Sequence, residues 1–239
     1  MPLLEGHHIV KHFGGLTALN NIDFYVDAGE IVGLIGPNGS GKSTLFNIIA
    51  GRLKPSQGRI WFQGRDVTGW SAHQACHQGV AATFQLVQPF THLTVLQNVL
   101  VGAVFGQGPL QPLKQAIEHA ERILKLVDLA DKRNVLARSL SLGQLKRLEL
   151  ARALATQPSL LLIDEVGAGL TPRGGAELRI LLRRLRDEGV TIFGIEHSPR
   201  AVAEISDRMI VLNKGDLLAE GPPEQVVNDP RVIDAYLGE

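Results

Sequence analysis

The sequence predicts an α/β fold organised around a mostly parallel sheet, on three observations. Beyond Pro158, short apolar runs at 160–163, 191–195 and 208–212 alternate with helical patterns at 172–188 and 199–204. Alternation of this kind implies right-handed crossovers between parallel strands. Earlier in the chain, an apolar run at 31–35 leads into Gly36-Pro37-Asn38-Gly39-Ser40-Gly41-Lys42-Ser43-Thr44 and then a helical pattern at 45–50. Strand, glycine-rich loop and helix N-terminus in that order form the context of a phosphate-binding P-loop. Third, the apolar run at 160–163 ends in two carboxylates, Asp164 and Glu165. A fully buried strand delivers its last residues to the sheet edge where a P-loop also sits.

The other elements follow in chain order. Residues 6–11, 18–26 and 30–35 read as short strands, with Asp27-Ala28-Gly29 as the turn between the last two. A strand at 58–63 ends at Gly64, a helix covers 71–78, and 80–84 is again strand-like. From about 93 to 155 strand signals vanish and helical periodicity appears at 95–103, 113–127 and 143–155. Between the first two, 105–112 carries Gly106, Gly108, Pro109 and Pro112 and reads as an exposed loop. A strand at 216–220 and a helix at 232–237 close the chain, and no internal repeat is evident. The expectation is a single domain, 1–239. Its nucleotide-binding core (about 1–92 and 156–239) is interrupted by a helical insertion at about 93–155.

Composition bounds the partners. At 239 residues, 44% hydrophobic and 20% charged, the chain can bury one substantial core and fits an ordinary soluble globular protein. Lys plus Arg and Asp plus Glu balance at 24 each, so no long-range field favours polyanions and a nucleic-acid role is weakened. Cys76 is the single cysteine, so no internal disulfide forms and a reducing compartment is expected. Residues 1–13 show no basic segment followed by an apolar stretch, so no signal peptide is read. No apolar run approaches the length that spans a bilayer.

The chemistry follows from backbone geometry. Glycines at 36, 39 and 41 let successive N–H groups point at one anion, and the positive end of the helix dipole adds to the same site. Lys42 can then reach β- and γ-phosphates, and the Ser43 hydroxyl can ligate a Mg²⁺ that bridges them. Asp164 can hold that Mg²⁺ through its water shell, while Glu165 can orient or deprotonate an attacking water. His197 follows the 191–195 strand and can hydrogen-bond the γ-phosphate and the water; in isolation it also reads as a surface histidine. Gln85 ends the 80–84 strand and can offer its amide oxygen to metal or water.

Leu140-Ser141-Leu142-Gly143-Gln144, followed by Lys146-Arg147-Leu148-Glu149-Leu150-Ala151-Arg152-Ala153-Leu154, resembles the signature motif of the ATP-binding-cassette family. That motif reads Leu-Ser-Gly-Gly-Gln and begins a helix. The resemblance extends over essentially the whole chain, with the elements in the family's order. It implies a P-loop core, an N-terminal antiparallel β subdomain and an inserted helical subdomain that carries the signature. It also implies that Phe13 stacks on adenine, that residues 36–44 are Walker A and that Gln85 is the Q-loop. By the same likeness, 160–165 is Walker B with Glu165 as catalytic base, and His197 is the switch histidine. The implied cofactors are ATP and Mg²⁺, the metal held by Ser43, Gln85 and Asp164. In this family two cassettes pair head to tail, so Ser141 and the Gly143 amide, with Gln144 beside them, serve the ATP held by the partner cassette. Ser141 equally reads as an ordinary N-cap with Gln144 at the capping-box position; both roles are compatible.

Three positions depart from the pattern. Leu142 replaces the motif's first glycine, Val166 stands where the family usually places Pro, and Thr171 replaces a carboxylate in Ala168-Gly169-Leu170-Thr171. Basic hydrolysis keeps Lys42, Asp164, Glu165 and His197, whereas coupling between two sites is what the departures touch. Other stretches resemble the ATPases of branched-chain and hydrophobic amino-acid uptake systems: Phe13-Gly14-Gly15-Leu16-Thr17-Ala18-Leu19, Ala82-Thr83-Phe84-Gln85, Thr94-Val95-Leu96-Gln97-Asn98-Val99-Leu100-Val101-Gly102 and the end, from Val232 to Gly238. This implies transmembrane permease subunits, a second and similar cassette in a heterodimer, and indirectly an extracytoplasmic solute-binding protein. The place implied is the cytoplasmic face of the inner membrane, held peripherally. Alternatives are a cassette for urea, amides or aromatic acids, a cassette acting on DNA or ribosomes, and a regulatory cassette with weak hydrolysis.

Three further features have plainer readings beside sharper ones. The apolar 86–93 stretch, with Phe90 as anchor, is expected to receive a permease helix, or else is a surface loop. His73 and His77, four apart with Cys76 between them, have metal-binding spacing but no second ligand pair, and read as a solvated face. Arg179, Arg183, Arg184 and Arg186 share a helix with Asp187 and Glu188 and read as a surface face, with a nucleic-acid patch as the sharper alternative.

Overall fold

The computed structural model describes residues 2–83, 88–106, 112–164, 167, 169–196 and 198–237. β1 (Leu4–Phe13) and β2 (Leu16–Val26) pair antiparallel around the turn Gly14-Gly15. β1 also pairs with β4 (Gln57–Phe62), and β4 with the short β5 (Arg65–Asp66), giving the order β2-β1-β4-β5. Both ladders of β1 slip register beside His8, which has φ 52°. The slip changes the parity of the buried face: Leu4 and Gly6 point inward before it, Ile9 after it. The expected strand at 6–11 is therefore longer in both directions, because its period of two is broken midway.

The second sheet contains β3 (Ile31–Ile35), β6 (Val80–Ala82), β7 (Leu160–Asp164), β8 (Thr191–Ile195), β9 (Arg208–Asn213) and β10 (Asp216–Gly221), in the order β10-β9-β3-β8-β7-β6. Every neighbour pair is parallel except β9 with β10 at one edge. All five residues of β3 are buried, as expected of a strand covered on both faces. Ile195 lies opposite both Leu34 and Asp164, so the carboxyl ends of β3, β8 and β7 come level. β6 joins the same edge, and the Thr83 N–H continues its ladder to Leu162 O at 2.9 Å. The predicted strand at 80–84 is assigned to 80–82, and Phe84 lies outside the described residues.

Two apolar clusters fix the layers. On one side, α1 (Lys42–Ile49) brings Leu45, Phe46 and Ile49 between the sheets, against Ile22, Phe24, Leu162 and Phe193. On the other, α3 (Val95–Phe105), α4 (Leu113–Leu126) and α5 (Leu142–Leu154) pack together and onto α6 (Pro172–Asp187). The i, i+4, i+8 stripe Ala116, Ala120 and Leu124 is the buried face of α4, the helical period the sequence displays. Short 3₁₀ turns at Ala130–Lys132 and Ala137–Ser139, and the five-residue α8 (Pro223–Val227), are too brief for periodicity to announce. α2 (Ala72–His77) is closed by a Ser71–Gln74 capping box, and the His73 and His77 rings pack edge-on with centroids 4.3 Å apart. On α6, Arg179 pairs with Glu204, Arg184 with Glu188 and Arg186 with Asp187 and Asp207, while Arg183 donates to the Glu204 carbonyl.

One side chain organises the approach to this helical layer. Asn98 of α3 is fully buried. Its Oδ1 accepts from the Phe90 N–H at 2.9 Å, and its Nδ2 donates to the carbonyls of Phe90 and Thr94, each at 3.0 Å, and of Leu93 at 3.3 Å. The Phe90, Leu93 and Thr94 carbonyls also accept from the N–H groups of Leu93, Ala137 and Asn98, so Asn98→Leu strands the Phe90 N–H and removes the second bond of each carbonyl. Urea unfolding should then show a loss of about 2 kcal/mol, and a change below about 0.5 kcal/mol would contradict the account.

Candidate functional site

The P-loop follows β3 at the carboxyl edge of the parallel sheet. Gly36, Gly39 and Gly41 have φ of 150°, 72° and 104°, the region that favours glycine. Space matters as much as conformation. A Cβ on Gly36 would stand 2.0 Å from Leu212 O, and one on Gly41 would stand 2.6 Å from Ala18 O. Gly41 caps α1 without a side-chain hydrogen bond, so the first-turn N–H groups face the loop rather than a cap. The Lys42 ammonium is buried and donates to Gly36 O at 2.6 Å and Pro37 O at 2.8 Å.

Asn38, Gly39, Ser40, Gly41, Lys42, Ser43 and Thr44 line a cleft of about 490 Å³ with Phe13, Leu16, Thr17, Ala18 and Lys214. That is room for a small ligand with an aromatic end and a charged end. Phe13 is half exposed, and Lys11 Nζ lies 5.1 Å from its ring centroid on an ammonium also bonded to Lys54 O. Of the residues named from sequence, Phe13 and the P-loop are thus brought together. Lys214 was not foreseen: it belongs to the turn between β9 and β10, and hairpin turns carry no mark of the cleft they border.

Asp164 ends β7 at the same sheet edge, and its N–H donates to the Thr83 hydroxyl at 3.2 Å. Gln85, Glu165 and His197 lie outside the described residues. Arg52, which follows α1, feels the carboxylates of Asp164 and Glu149; burial lowers its pKa and the two carboxylates pull the other way. Arg152 is likewise lowered by burial and raised by Glu149. It donates to Gln88 O at 2.8 Å and places its guanidinium 4.6 Å from the Phe90 ring centroid. The chain of Arg52, Glu149 and Arg152 was also missed, because three charges in helical contexts look like solvent-facing residues. Glu149 is in fact buried.

The signature residues sit elsewhere. Ser141 caps α5, accepting from Gln144 N at 3.4 Å while the Gln144 side chain accepts from Ser141 N at 3.0 Å. Ser141, Gly143 and Gln144 line a separate cleft of about 330 Å³ with Lys146, Leu170 and Glu177. Among the described residues, none lines both this cleft and the P-loop cleft. The departures have local uses. Leu142 is half exposed and packs over Gly169, where a Cβ would meet Leu142 Cδ2 at 3.3 Å. Thr171 caps α6, accepting from Gly174 N at 3.1 Å.

Two glycine substitutions separate space from conformation at the P-loop. Gly39→Ala meets open space and only the positive φ, and should cost about 1 kcal/mol. Gly41→Ala also forces the Ala18 carbonyl away, and should cost at least about 2 kcal/mol and weaken binding of a fluorescent nucleotide far more than Gly39→Ala. Thermal melts and titrations of the two variants check the order; equal effects would show that crowding against Ala18 is immaterial.

Comparison with known proteins agrees with this geometry. The ABC transporter family model matches residues 19–168, and a model for the branched-chain amino acid ATP-binding cassette transporter matches residues 217–239. The chain is 39% identical over 251 residues to the high-affinity branched-chain amino acid transport ATP-binding protein BraF of Pseudomonas aeruginosa, covering 100% of this chain and 98% of that protein. Among solved structures, the ADP conformation of MJ1267, an ATP-binding cassette of an ABC transporter, superposes with a TM-score of 0.92 at 35% identity over 100% of both chains. The dimeric structure of MJ0796, a bacterial ABC transporter cassette, gives a TM-score of 0.82 at 28% identity, covering 92% of this chain and 98% of that one. With its P-loop cleft, its level strand ends and these likenesses, the chain belongs to the ABC transporter family and is an ATP-binding cassette with ATPase function.

Proposed function

We propose that this cassette hydrolyses Mg·ATP to drive uptake of branched-chain or related hydrophobic amino acids through a separate permease. The observation that carries the motor reading is the division of the site. The P-loop cleft and the signature cleft are lined by different residues, so each chain offers two half-sites to a head-to-tail partner. ATP then lies between Gly36, Pro37, Asn38, Gly39, Ser40, Gly41, Lys42, Ser43 and Thr44 of one cassette and Ser141, Gly143 and Gln144 of the next, with Phe13 on the adenine. Phosphate at two helix N-termini is favourable for the same electrostatic reason at each. Closure on ATP and opening after hydrolysis make a ligand-biased two-state switch. The cargo reading is supported by the likeness to BraF over the whole chain and by the C-terminal family match.

Glu165 acts as base, with His197 and Gln85 orienting the water and the γ-phosphate. Mg²⁺ fits the donors: the Ser43 hydroxyl, the Asp164 carboxylate and the Gln85 amide are all oxygen ligands, the set a hard divalent cation takes. When bound, the ion neutralises charge on the β- and γ-phosphates. Residues 1–92 and 156–239 form the nucleotide-binding part of one domain, and 93–155 the helical part that carries the signature. No helix among the described residues is long and apolar enough to cross a membrane; the permease supplies the crossing, and the cassette sits peripherally on its cytoplasmic face. The partner cassette is a similar but distinct chain, and a solute-binding protein acts on the far side.

Lys42→Ala should lower Mg²⁺-dependent turnover at least about 100-fold. Glu165→Gln should retain ATP and remain a closed dimer when the partner cassette is present, as size-exclusion with light scattering would report. Persistent monomers under saturating ATP, with every candidate partner supplied, would refute the head-to-tail motor. Leucine uptake by vesicles that hold the co-purified complex tests the cargo: ATP-driven uptake of urea or an aromatic acid instead would reassign it.

A further inference from the structure

We infer that Lys214 is a nucleotide-binding residue of this cassette, a second ammonium that contacts the phosphate chain beside the P-loop. The inference deepens the proposed function and rests on its reading of the P-loop cleft as the nucleotide site. Lys214 lines that cleft with Phe13, Thr17, Ser43 and Thr44, and among the described residues no acidic side chain lines it. Among the described residues no ion pair or hydrogen bond engages the Lys214 ammonium. Lys42, by contrast, is tied to carbonyls of its own loop.

The backbone beneath Lys214 is held firmly. Gly215 N donates to Ser40 O of the P-loop at 3.1 Å, and Asn20 N donates to Gly215 O at 2.8 Å. The Asn20 side chain also donates to Asp216 Oδ1 at 2.9 Å. The turn therefore cannot move without the P-loop, and a cation carried on it has a fixed origin beside the phosphates. A fixed origin reduces the ordering cost of each contact the side chain makes.

The choice of lysine runs against turn chemistry. Asn213 pairs with Asp216, so Lys214-Gly215 is a two-residue hairpin loop. Both residues have positive φ, 49° and 89°, the type I′ pattern in which Asn or Asp at the first position is strongly preferred. Lysine has no short polar side chain to ease that conformation. A disfavoured backbone state beside a ligand cleft points to a use for the side chain. An ammonium facing a polyanion supplies that use.

The substitution Lys214→Asn separates fold from binding, because the two should move in opposite directions. Full-length wild type, Lys214→Asn and Lys214→Arg are titrated with ATP, with ADP, and with adenosine by competition against a fluorescent ATP. Melting temperatures are measured in parallel. For Lys214→Asn, Kd for ATP and ADP should rise about five- to tenfold, in line with one lost charge-assisted contact. Adenosine should stay within about twofold, and the melting temperature should stay level or rise. Lys214→Arg should keep ATP affinity within about twofold of wild type. ATP binding by Lys214→Asn within twofold of wild type would overturn the inference, as would an equal loss for adenosine. A wild-type protein that fails to bind ATP would overturn the nucleotide reading of the cleft itself, which the Lys214 variants alone cannot do.

Discussion

Backbone against backbone at the P-loop is the constraint on which the rest of the site depends. The loop is walled in by the Ala18 carbonyl of β2 and the Leu212 carbonyl of β9, at distances that leave no room for a Cβ on Gly41 or Gly36. Those two walls belong to different sheets. The antiparallel sheet must therefore stand in one position relative to the parallel one, or the loop loses its shape. The packing of Phe24 against Phe193 across the sheets, with centroids 6.3 Å apart, holds that position. So does Arg208 of β9, which pairs with Glu30 at 2.8 Å, donates to Tyr25 O and lies over the Tyr25 ring. A largely buried pair so satisfied is a positioning device more than a source of stability.

Much of this was legible in the sequence, and the reasons differ by element. The P-loop was readable because its glycines serve a local geometry, and local geometry is written locally. The buried strands were readable because β3 and β7 are covered on both faces and so are apolar throughout. The helical stretch was readable from period alone. What escaped has a common cause: it depends on residues distant in the chain. The bulge at His8 exists because β1 serves two partners at once. Arg52 and Glu149, 97 positions apart by number, have a meaning only once the fold brings the segment after α1 near α5. Cys76 too takes its character from the fold, since burial against neighbouring elements raises its pKa and dulls its thiol.

The substitutions that depart from the family pattern find their logic inside one chain. Thr171 gives up a charge but keeps the helix cap, since a threonine hydroxyl serves α6 as a carboxylate would. Leu142 gives up the small size of glycine and covers Gly169 in the loop after β7. The signature helix and the loop that leads from the Walker B strand are thereby in contact within a single cassette. A displacement of either is felt by the other through packing, because close-packed side chains transmit strain rather than absorb it.

The same helix reaches the opposite side of the molecule through its other end. Arg152 lies near the C-terminus of α5, bonded to Gln88 O and stacked on Phe90, while Asn98 holds the Phe90 backbone from α3. Phe90 itself is half exposed. α5 thus has the signature cleft at its N-terminus and a clamped, partly exposed aromatic segment near its C-terminus. Between them Glu149 is buried beside Arg52, whose other electrostatic neighbour is Asp164. α5 is thus tied to its surroundings by polar contacts near both ends and by buried charge in the middle, and close packing passes strain along such an element rather than absorbing it.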